Sequence, residues 1–308
     1  MTAPLDPRLH AHRPDLADAR LRGRVEAERF VEGALAHVAM PVADLRRRPS
    51  ADAPLETQAL YGEAVRVFEE TGEGWSWVQL ESDGYVGWAP SVTLLSGAPP
   101  EPTHRICVRR TLVFPGPDIK RPPMHDLPLG ARLRVRGEAS DHNATYGLIA
   151  PFGAVVVQHM KSATAYDTDF AGVAEGFLGV AYLWGGKSAL GIDCSGLVQV
   201  ALDACGVRAP RDTDLQMAMG EAVPEGAPLR RGDLVFWRGH VGIMLDAARL
   251  LHANAHHMMA AIEPLAEAVS RMEGKGVPVA AIRRLPGLGA FPVKADPAFT
   301  ADPPFTSG

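Results

Sequence analysis

Residues 193–205, DCSGLVQVALDAC, decide the fold of the C-terminal part of the chain. Apolar residues of one helical face recur at i, i+1, i+4 and i+5, at Leu197, Val198, Ala201 and Leu202. This spacing predicts an amphipathic helix, and Asp193 is a good N-cap for it. Cys194 then falls in the first turn, where unpaired backbone N–H groups and the helix dipole favour an anion.

A cysteine at a helix start can act as a nucleophile, because the thiolate is the reactive form. A neighbouring imidazole would lower its pKa further by forming a thiolate–imidazolium pair. His240 opens a short apolar run downstream, and His252 lies in a second one. Cys107 and Cys205 are interpreted as buried structural residues, the usual state of a free cysteine.

Six short motifs surround this cysteine in a fixed order. They are YLWGG at 182–186, DCSG at 193–196, RDTDLQ at 211–216, GDLVF at 232–236, HVGI at 240–243 and HA at 252–253. In this order the chain resembles the NlpC/p60 family of bacterial cell-wall cysteine peptidases. The resemblance covers about residues 166–286 and implies a papain-like α+β catalytic domain.

The resemblance implies a role for four residues. Cys194 matches the nucleophile and His240 the general base, which takes the thiol proton and later protonates the leaving amine. His252 matches the third residue, which holds the tautomer of the base. Tyr182 matches a tyrosine whose hydroxyl helps the Cys194 backbone N–H to stabilise the oxyanion.

The papain-like arrangement implies that the cysteine helix packs on an antiparallel sheet. We expect strands near 233–237, 241–246, 249–254 and 278–284, and a helix near 264–272. His240 would then open a central strand opposite Cys194, within hydrogen-bond reach of it.

A histidine cluster follows the second apolar run. His252 and His256 have the i, i+4 spacing that chelates zinc on a helix. The segment 249–254 has the pattern of a strand, however, in which i and i+4 lie about 13 Å apart. The sequence therefore predicts no metal and no cofactor, and it places His256 and His257 in a turn near the cleft.

The N-terminal half has the pattern of small β domains. Residues 34–97 contain alternating strands separated by glycine turns, with LYGE at 60–63 and GYVGW at 84–88, and they resemble a bacterial SH3-like barrel. A second SH3-like barrel is predicted at 98–165 on weaker motifs. Residues 1–33 are predicted to be partly helical, and the Pro-rich tail 287–308 to be an extended strap or disordered.

Composition narrows the class of protein. The 308 residues contain 46% hydrophobic residues, as a globular protein does, and the net charge of −5 offers no basic surface for nucleic acid. Three cysteines form no disulfide framework, and the polar N-terminus lacks the apolar core of a secretory signal. We expect a cytoplasmic protein without a membrane or nucleic-acid partner; the oligomeric state stays open.

Two SH3-like barrels ahead of this peptidase resemble the dipeptidyl-peptidases that act on released murein peptides. Such enzymes cleave the γ-D-Glu–L-diamino acid bond and require the free amine of L-Ala. On this resemblance the candidate substrate-binding residues are Glu56, Tyr85, Trp184, Asp193, Ser195, Asp212 and Thr213. Several of them could have a purely structural role instead: Glu56 as a solvated turn residue, Tyr85 as a barrel-core aromatic, and Asp212 as a helix cap.

Three other functions remain open on the sequence. The protein could be an endopeptidase acting on intact peptidoglycan, or an amidase or acyltransferase with a non-murein substrate, since a thiol–imidazole pair serves any acyl transfer. It could also be an inactive binding module. The sequence does not distinguish diaminopimelate from lysine as the diamino acid.

Overall fold

A computed structural model describes residues 5–287 of the chain. The predicted tail falls on 288–308 and so lies outside the described residues. None of the helices within the described range is long and apolar enough to span a membrane.

The C-terminal domain places helices against one antiparallel sheet. Its six strands run in the order Glu221–Ala222, Val279–Arg284, Leu234–Trp237, His240–Met244, Arg249–Asn254 and Met259–Pro264. The helices are Phe170–Glu175, Cys194–Ala204, Thr213–Gln216 and Leu265–Glu273, and a small hairpin joins Lys187–Ser188 to Gly191–Ile192. The four expected strands and the expected helix near 264–272 are confirmed, and the strands Glu221–Ala222 and Met259–Pro264 are additions to them.

The helix Cys194–Ala204, the cysteine helix, packs its apolar face into the main core. Leu197, Val198 and Ala201 are almost fully buried, in one cluster with Phe236 and Val241 of the sheet. Each large apolar side chain buried in this way contributes about 1.5–3 kcal/mol to folding. The helix is therefore fixed against the strand that begins at His240.

Both ends of the cysteine helix are capped. At its start the Asp193 carboxylate accepts the Gly196 N–H at 2.7 Å, as the sequence predicts for an N-cap. At its end Arg105 donates to the carbonyl oxygens of Asp203, at 3.1 Å, and Ala204. A cation suits that position because carbonyl groups without helical partners collect there.

The first β unit is a single seven-stranded sheet. Its strands, in spatial order, are Leu55–Leu60, Val42–Arg46, Val86–Pro90, Trp75–Leu80, Ala64–Glu70, Ala34–Val38 and Leu94–Ser96, and a 3₁₀ turn spans Ser91–Thr93. Alternate residues such as Val65, Val78 and Leu80 point into its core. All of these strands lie within the predicted range 34–97.

Residues 98–165 form three smaller antiparallel sheets. One contains Arg132–Leu133, His104–Ile106 and Met160–Ser162; the second pairs Arg110–Val113 with His125–Pro128; the third contains Val135–Ser140, Thr145–Ile149 and Ala154–Val156, and Val157–His159 is a 3₁₀ turn. This unit has its own apolar core around Ile106, Leu127 and Val155. That it is a second SH3-like barrel stays a prediction.

The predicted helical segment at 1–33 is wrong for its described part. Residues 5–33 contain two short parallel strands, Leu16–Asp18 and Arg29–Val31, and a 3₁₀ turn at Ala19–Leu21. Gly23, with a φ of 78°, interrupts any continuous helix between Leu16 and Val31. The segment instead packs on the first β unit.

Two kinds of contact hold that N-terminal segment in place. Leu16 is buried in one cluster with Trp77 and Trp88, and the Arg13 guanidinium lies 4.2 Å from the Trp77 ring centroid. Backbone bonding adds to this packing, because the Val86 N–H donates to the Arg8 carbonyl at 2.8 Å. Tertiary packing has overridden the local apolar spacing, and it brings Arg8 to the catalytic domain.

The first β unit also contacts the catalytic domain directly. The Gln58 side chain accepts the Lys187 N–H at 2.8 Å, and Gln199 of the cysteine helix donates to Asp83 at 2.8 Å. These bonds place the first β unit, called the barrel from here on, beside the start of the cysteine helix, where the candidate site lies.

Candidate active site

The Cys194 thiol is buried at the start of its helix, with 6% of the residue exposed. Its sulfur lies 3.8 Å from the Thr213 hydroxyl oxygen, and the Val241 backbone N–H also interacts with it. Burial, followed by the negative charge of Asp193, raises the pKa of Cys194 to about 11 and outweighs these donors. Desolvation thus opposes the effect of the helix start and favours the thiol over the thiolate.

His240 and His252 are hydrogen-bonded to each other. The distance from His240 Nε2 to His252 Nδ1 is 2.8 Å, which leaves Nδ1 of His240 as the nitrogen for the thiol. Burial lowers the pKa of His240 to about 3 and that of His252 to about 4. Both imidazoles are neutral near pH 7, which is the state that a general base requires. The predicted hydrogen bond between His240 and Cys194 is not formed among the described residues, in which the thiol contacts Thr213 instead.

Glu263 extends this pair and was missed from the sequence. Its Oε1 lies 2.7 Å from His252 Nε2, and its carboxylate is paired with Arg271. The sequence prediction overlooked the strand Met259–Pro264, which carries Glu263. The segment MAAIEP gave no signal for it, because it does not alternate polar and apolar residues. Strand pairing alone brings Glu263 to this site, since Ala261 lies opposite His252 and Glu263 is two residues further on the same face.

Tyr182 stands between two cavities next to Cys194. Burial, and then the charge that Cys194 can carry, raises the pKa of Tyr182, so its hydroxyl stays a donor. Its backbone is fixed by the Met258 carbonyl, which accepts the Tyr182 N–H at 2.9 Å. Met258 has a φ of 53°, an unusual backbone conformation for a residue other than glycine, and no pattern in the sequence marks it.

Asp193 and Ser195 form a buried network with Arg211. The guanidinium of Arg211 donates to both carboxylate oxygens of Asp193, at 3.0 and 2.7 Å, and to the Ser195 hydroxyl at 2.9 Å. Asp193 also accepts the Gly185 and Gly196 N–H groups. Asp193 and Ser195 line the cleft, but this engagement favours a supporting role for Asp193 over the predicted contact with substrate.

Arg211 joins this network to the barrel as well. Its Nε donates to the Thr57 hydroxyl at 3.0 Å, although only 1% of the residue is exposed. The sequence placed Arg211 within a motif without giving it a role. Its bonds fix the start of the cysteine helix against the first β unit.

Most of the predicted site residues line one cleft of about 350 Å³, whereas His240 and His252 line the neighbouring cavity. Eight of the predicted residues line the cleft: Glu56, Tyr182, Trp184, Asp193, Cys194, Ser195, Asp212 and Thr213. The Trp184 side chain is largely exposed at its edge. A site of this size is typical of pockets for small ligands.

Tyr85 reaches the same cleft through Asp212. Its hydroxyl donates to Asp212 Oδ2 at 3.1 Å, and Arg8 donates to the same oxygen at 2.7 Å. Glu56 is paired with Arg47 at 2.6 Å. Arg8 and Arg47 also line the cleft and were missed from the sequence. The barrel, the N-terminal segment and the catalytic domain thus each contribute charged groups to one end of the cleft.

The predicted turn for His256 and His257 is confirmed, since residues 255–258 form a turn between two strands. Spacing alone would permit a cation at His252, His257 and Glu263, whose ligand atoms lie within 4.8 Å of one another. Such a cation would have to displace the hydrogen bond between His252 and Glu263 and compete with Arg271. The geometry favours this hydrogen-bonded arrangement over a metal site.

Two family models match the chain. Residues 179–276 match the NlpC/P60 family, and residues 45–94 match the bacterial dipeptidyl-peptidase Sh3 domain. The first match contains Cys194, His240 and His252, and the second contains Glu56 and Tyr85. The two halves of the cleft therefore fall in two matched regions.

Relatives and a solved structure agree with these matches. The gamma-D-glutamyl-L-lysine dipeptidyl-peptidase of Bacillus subtilis is 30% identical over 232 residues, which cover 66% of this chain and 73% of the relative. Dipeptidyl-peptidase 6 of Lysinibacillus sphaericus is 26% identical over 239 residues, which cover 69% of this chain and 85% of the relative. The crystal structure of an NlpC/P60 family protein from Bacillus cereus shares the fold, with a TM-score of 0.68 at 22% identity over 82% of this chain and 99% of that one. The chain therefore belongs to the NlpC/P60 family of cysteine peptidases.

Proposed function

We propose that this peptidase hydrolyses the γ-D-Glu–L-diamino acid bond of murein peptides that carry a free N-terminal L-Ala. The observation that carries the proposal is the cleft itself, in which Glu56 of the barrel and Asp212 of the catalytic domain accompany Cys194. The printed names of the Bacillus subtilis and Bacillus cereus relatives, gamma-D-glutamyl-L-lysine dipeptidyl-peptidases, support the same bond.

The catalytic residues act by acyl transfer. Nδ1 of His240 takes the thiol proton while Cys194 Sγ attacks the γ-glutamyl carbonyl carbon. Tyr182 and the Cys194 N–H donate to the oxyanion. The His240 proton passes to the leaving amine of the diamino acid, and a thioester remains. Water, deprotonated by His240, then hydrolyses the thioester and restores the thiol.

The acidic end of the cleft suits the substrate ammonium. Besides Asp193, which is paired with Arg211, the lining contains three carboxylates, those of Glu56, Asp212 and Asp214, against the two guanidinium groups of Arg8 and Arg47. Tyr85 and Arg8 both contact Oδ2 of Asp212, so we assign Oδ1 to the ammonium. A buried ammonium requires such acceptors and a counter-charge.

The closed character of that end distinguishes the proposal from an endopeptidase acting on intact peptidoglycan. Arg8 is bonded to Asp212 at 2.7 Å and to Asp214 at 2.7 Å, which joins the N-terminal segment to the catalytic domain there. A peptide continuing beyond L-Ala would have to displace these ion pairs. A released peptide ends before them, which fits a role in peptide recycling; cytoplasmic localisation stays a prediction.

We assign the leaving diamino acid to the second cavity, of about 210 Å³. It shares Tyr182 and Gly239 with the first, and His240 lines it. Arg238 and Lys275 also line it, and within residues 5–287 no carboxylate forms an ion pair with either. These cations favour diaminopimelate, which ends in a carboxylate beside its amine, over lysine, which ends in a bare ammonium.

The experiment is release of L-Ala-γ-D-Glu from L-Ala-γ-D-Glu-diaminopimelate by the full chain and by Cys194→Ala. The proposal requires release by the full chain only. Retained release by Cys194→Ala would overturn the assignment of the nucleophile, and no release by either would favour a non-murein amidase or a binding module. The matching lysine peptide tests the second cavity, since we expect a lower kcat/KM for it.

A further inference from the structure

Glu263 lies behind the two histidines and away from the substrate cleft. It is 6% exposed and belongs to the strand Met259–Pro264, next to the strand that carries His252. Its contact with His252 Nε2, at 2.7 Å, involves the nitrogen that faces away from His240. Glu263 therefore touches neither the thiol nor the cleft and can act only through His252.

Arg271 keeps the Glu263 carboxylate charged. It follows in the helix Leu265–Glu273 and donates to both carboxylate oxygens, with Nη1 at 2.7 Å from Oε2. Burial opposes the charge on Glu263, but the bonds from Arg271 and His252 outweigh it and lower the pKa of Glu263. An ionised carboxylate accepts hydrogen bonds and donates none.

That charge determines where each imidazole carries its proton. His252 must place its proton on Nε2, facing Glu263, so a neutral His252 has a bare Nδ1. The bare Nδ1 accepts from His240, so His240 carries its proton on Nε2. Nδ1 of His240 is then bare as well, which is the state a general base for Cys194 requires.

We propose that Glu263, held by Arg271, is a positioning residue that fixes the tautomer of His252 and, through it, the tautomer of His240. The inference deepens the proposed function, because it specifies what prepares the base for its first proton transfer. When His240 becomes charged, His252 Nδ1 accepts its Nε2–H and Glu263 supplies a negative charge on the far side of His252.

The other groups around His252 do not supply this determinant. His257 packs edge-on to the His252 ring at 6.3 Å between centroids, and its own Nδ1 is bonded to Asn254 Oδ1. His240 is the partner on the other side, and Arg271 reaches His252 only through Glu263. Among the described residues, Glu263 is thus the anion in contact with His252.

Four substitutions separate the effect of the Glu263 charge from that of its hydrogen bond. Glu263→Ala removes both, and we expect kcat to fall about 100-fold, within the range that general acid–base catalysis contributes, while KM stays within about twofold. Glu263→Gln keeps an acceptor for Nε2–H but removes the charge, so we expect an intermediate loss. Arg271→Lys keeps a cation beside Glu263 and should retain more activity than Arg271→Gln.

Nitrogen NMR of histidine-labelled protein supplies a readout that does not depend on substrate. In the unsubstituted chain we expect His240 and His252 both as Nε2–H tautomers, assigned by comparison with His240→Gln and His252→Gln. Glu263→Ala should introduce the Nδ1–H form at His252. Asp246→Asn, at an exposed ion pair with Arg249 on the same sheet, is the matched control and should change neither tautomer.

The results distinguish this inference from the proposed function. Changed tautomers in a folded Glu263→Ala, with no cleavage of murein peptides by any form of the chain, would support the inference and remove the proposed function. Unchanged tautomers and unchanged kcat in folded Glu263→Ala and Glu263→Gln would overturn the inference, whatever the substrate. If Glu263→Ala does not fold, Glu263→Gln tests the inference through its kcat and through the nitrogen chemical shifts of its histidine rings.

Discussion

The hydroxyl of Tyr85 donates to Oδ2 of Asp212 across 3.1 Å, and this bond joins the barrel to the catalytic domain at one end of the cleft. Both residues were candidate substrate-binding residues, and the structure brings them together although 127 positions separate them. Tyr85 is also a buried barrel aromatic, as its alternative interpretation has it. One side chain can therefore serve the barrel core and orient a carboxylate of the cleft.

Tyr85→Phe removes only the hydroxyl that orients Asp212. We expect KM for the free-amine peptide to rise about tenfold with little change in kcat, since a lost hydrogen bond to a charged group is worth about 1.5–3 kcal/mol. Steady-state kinetics on L-Ala-γ-D-Glu-diaminopimelate measures this. Tyr61→Phe is the control, because the Tyr61 hydroxyl is bonded to the Ala150 carbonyl, outside the cleft. An equal effect of both substitutions would contradict a specific role for Tyr85.

Arg8→Gln weakens the junction between the N-terminal segment and the catalytic domain. We expect it to increase turnover of peptides that extend beyond L-Ala, because the ion pairs with Asp212 and Asp214 no longer oppose them. Relative rates on free and extended peptides measure this change. Arg20→Gln is the control: Arg20 belongs to the same segment and pairs with Asp18, not with residues of the cleft. Unaltered selectivity in Arg8→Gln would show that another feature closes this end.

Alkylation of Cys194 by iodoacetamide should depend steeply on pH. With the pKa of Cys194 raised to about 11 and that of His240 lowered to about 3, the resting pair is neutral near pH 7. The thiolate fraction, and with it the rate, should then increase about tenfold per pH unit between about pH 6 and 9. Cys194→Ser provides the background from Cys107 and Cys205. A rate independent of pH over this range would indicate a preformed thiolate–imidazolium pair instead.

Arg211→Leu should destabilise the protein by about 3–5 kcal/mol, because it leaves the buried Asp193 carboxylate without its cation. Burial opposes the charge on Arg211, but Asp193 outweighs this and raises the pKa of Arg211, so the guanidinium remains charged. Urea unfolding measures the change. Arg249→Gln is the control, since its exposed pair with Asp246 should contribute less than about 1 kcal/mol. Similar losses in the two variants would argue against the buried network.

Local pattern predicted the catalytic core well. The spacing of Leu197, Val198 and Ala201 and the cap at Asp193 indicated the cysteine helix. The strands that carry His240 and His252 were expected from apolar runs and from the family resemblance. These features depend on neighbours in sequence. Local pattern was therefore sufficient for the helix that carries Cys194, and the resemblance added the strands that carry the two histidines.

Features set by tertiary contact were not predictable in this way. The N-terminal segment has helix-like apolar spacing, yet its residues pack on the aromatic side chains of the barrel, and Arg8 reaches the cleft as a result. Glu263 becomes relevant only when its strand pairs with that of His252. The charge state of Cys194 depends on its desolvation, which the sequence does not reveal.

The central claim is that the cleft binds a free ammonium next to the acyl group transferred to Cys194. The most direct test compares kcat/KM for L-Ala-γ-D-Glu-diaminopimelate with that for its N-acetylated form. We expect acetylation to reduce kcat/KM by about 100-fold or more. It removes the positive charge that Glu56 and Asp212 would bind, and these carboxylates then lack the ammonium as a partner. Equal turnover of the two peptides would contradict the account.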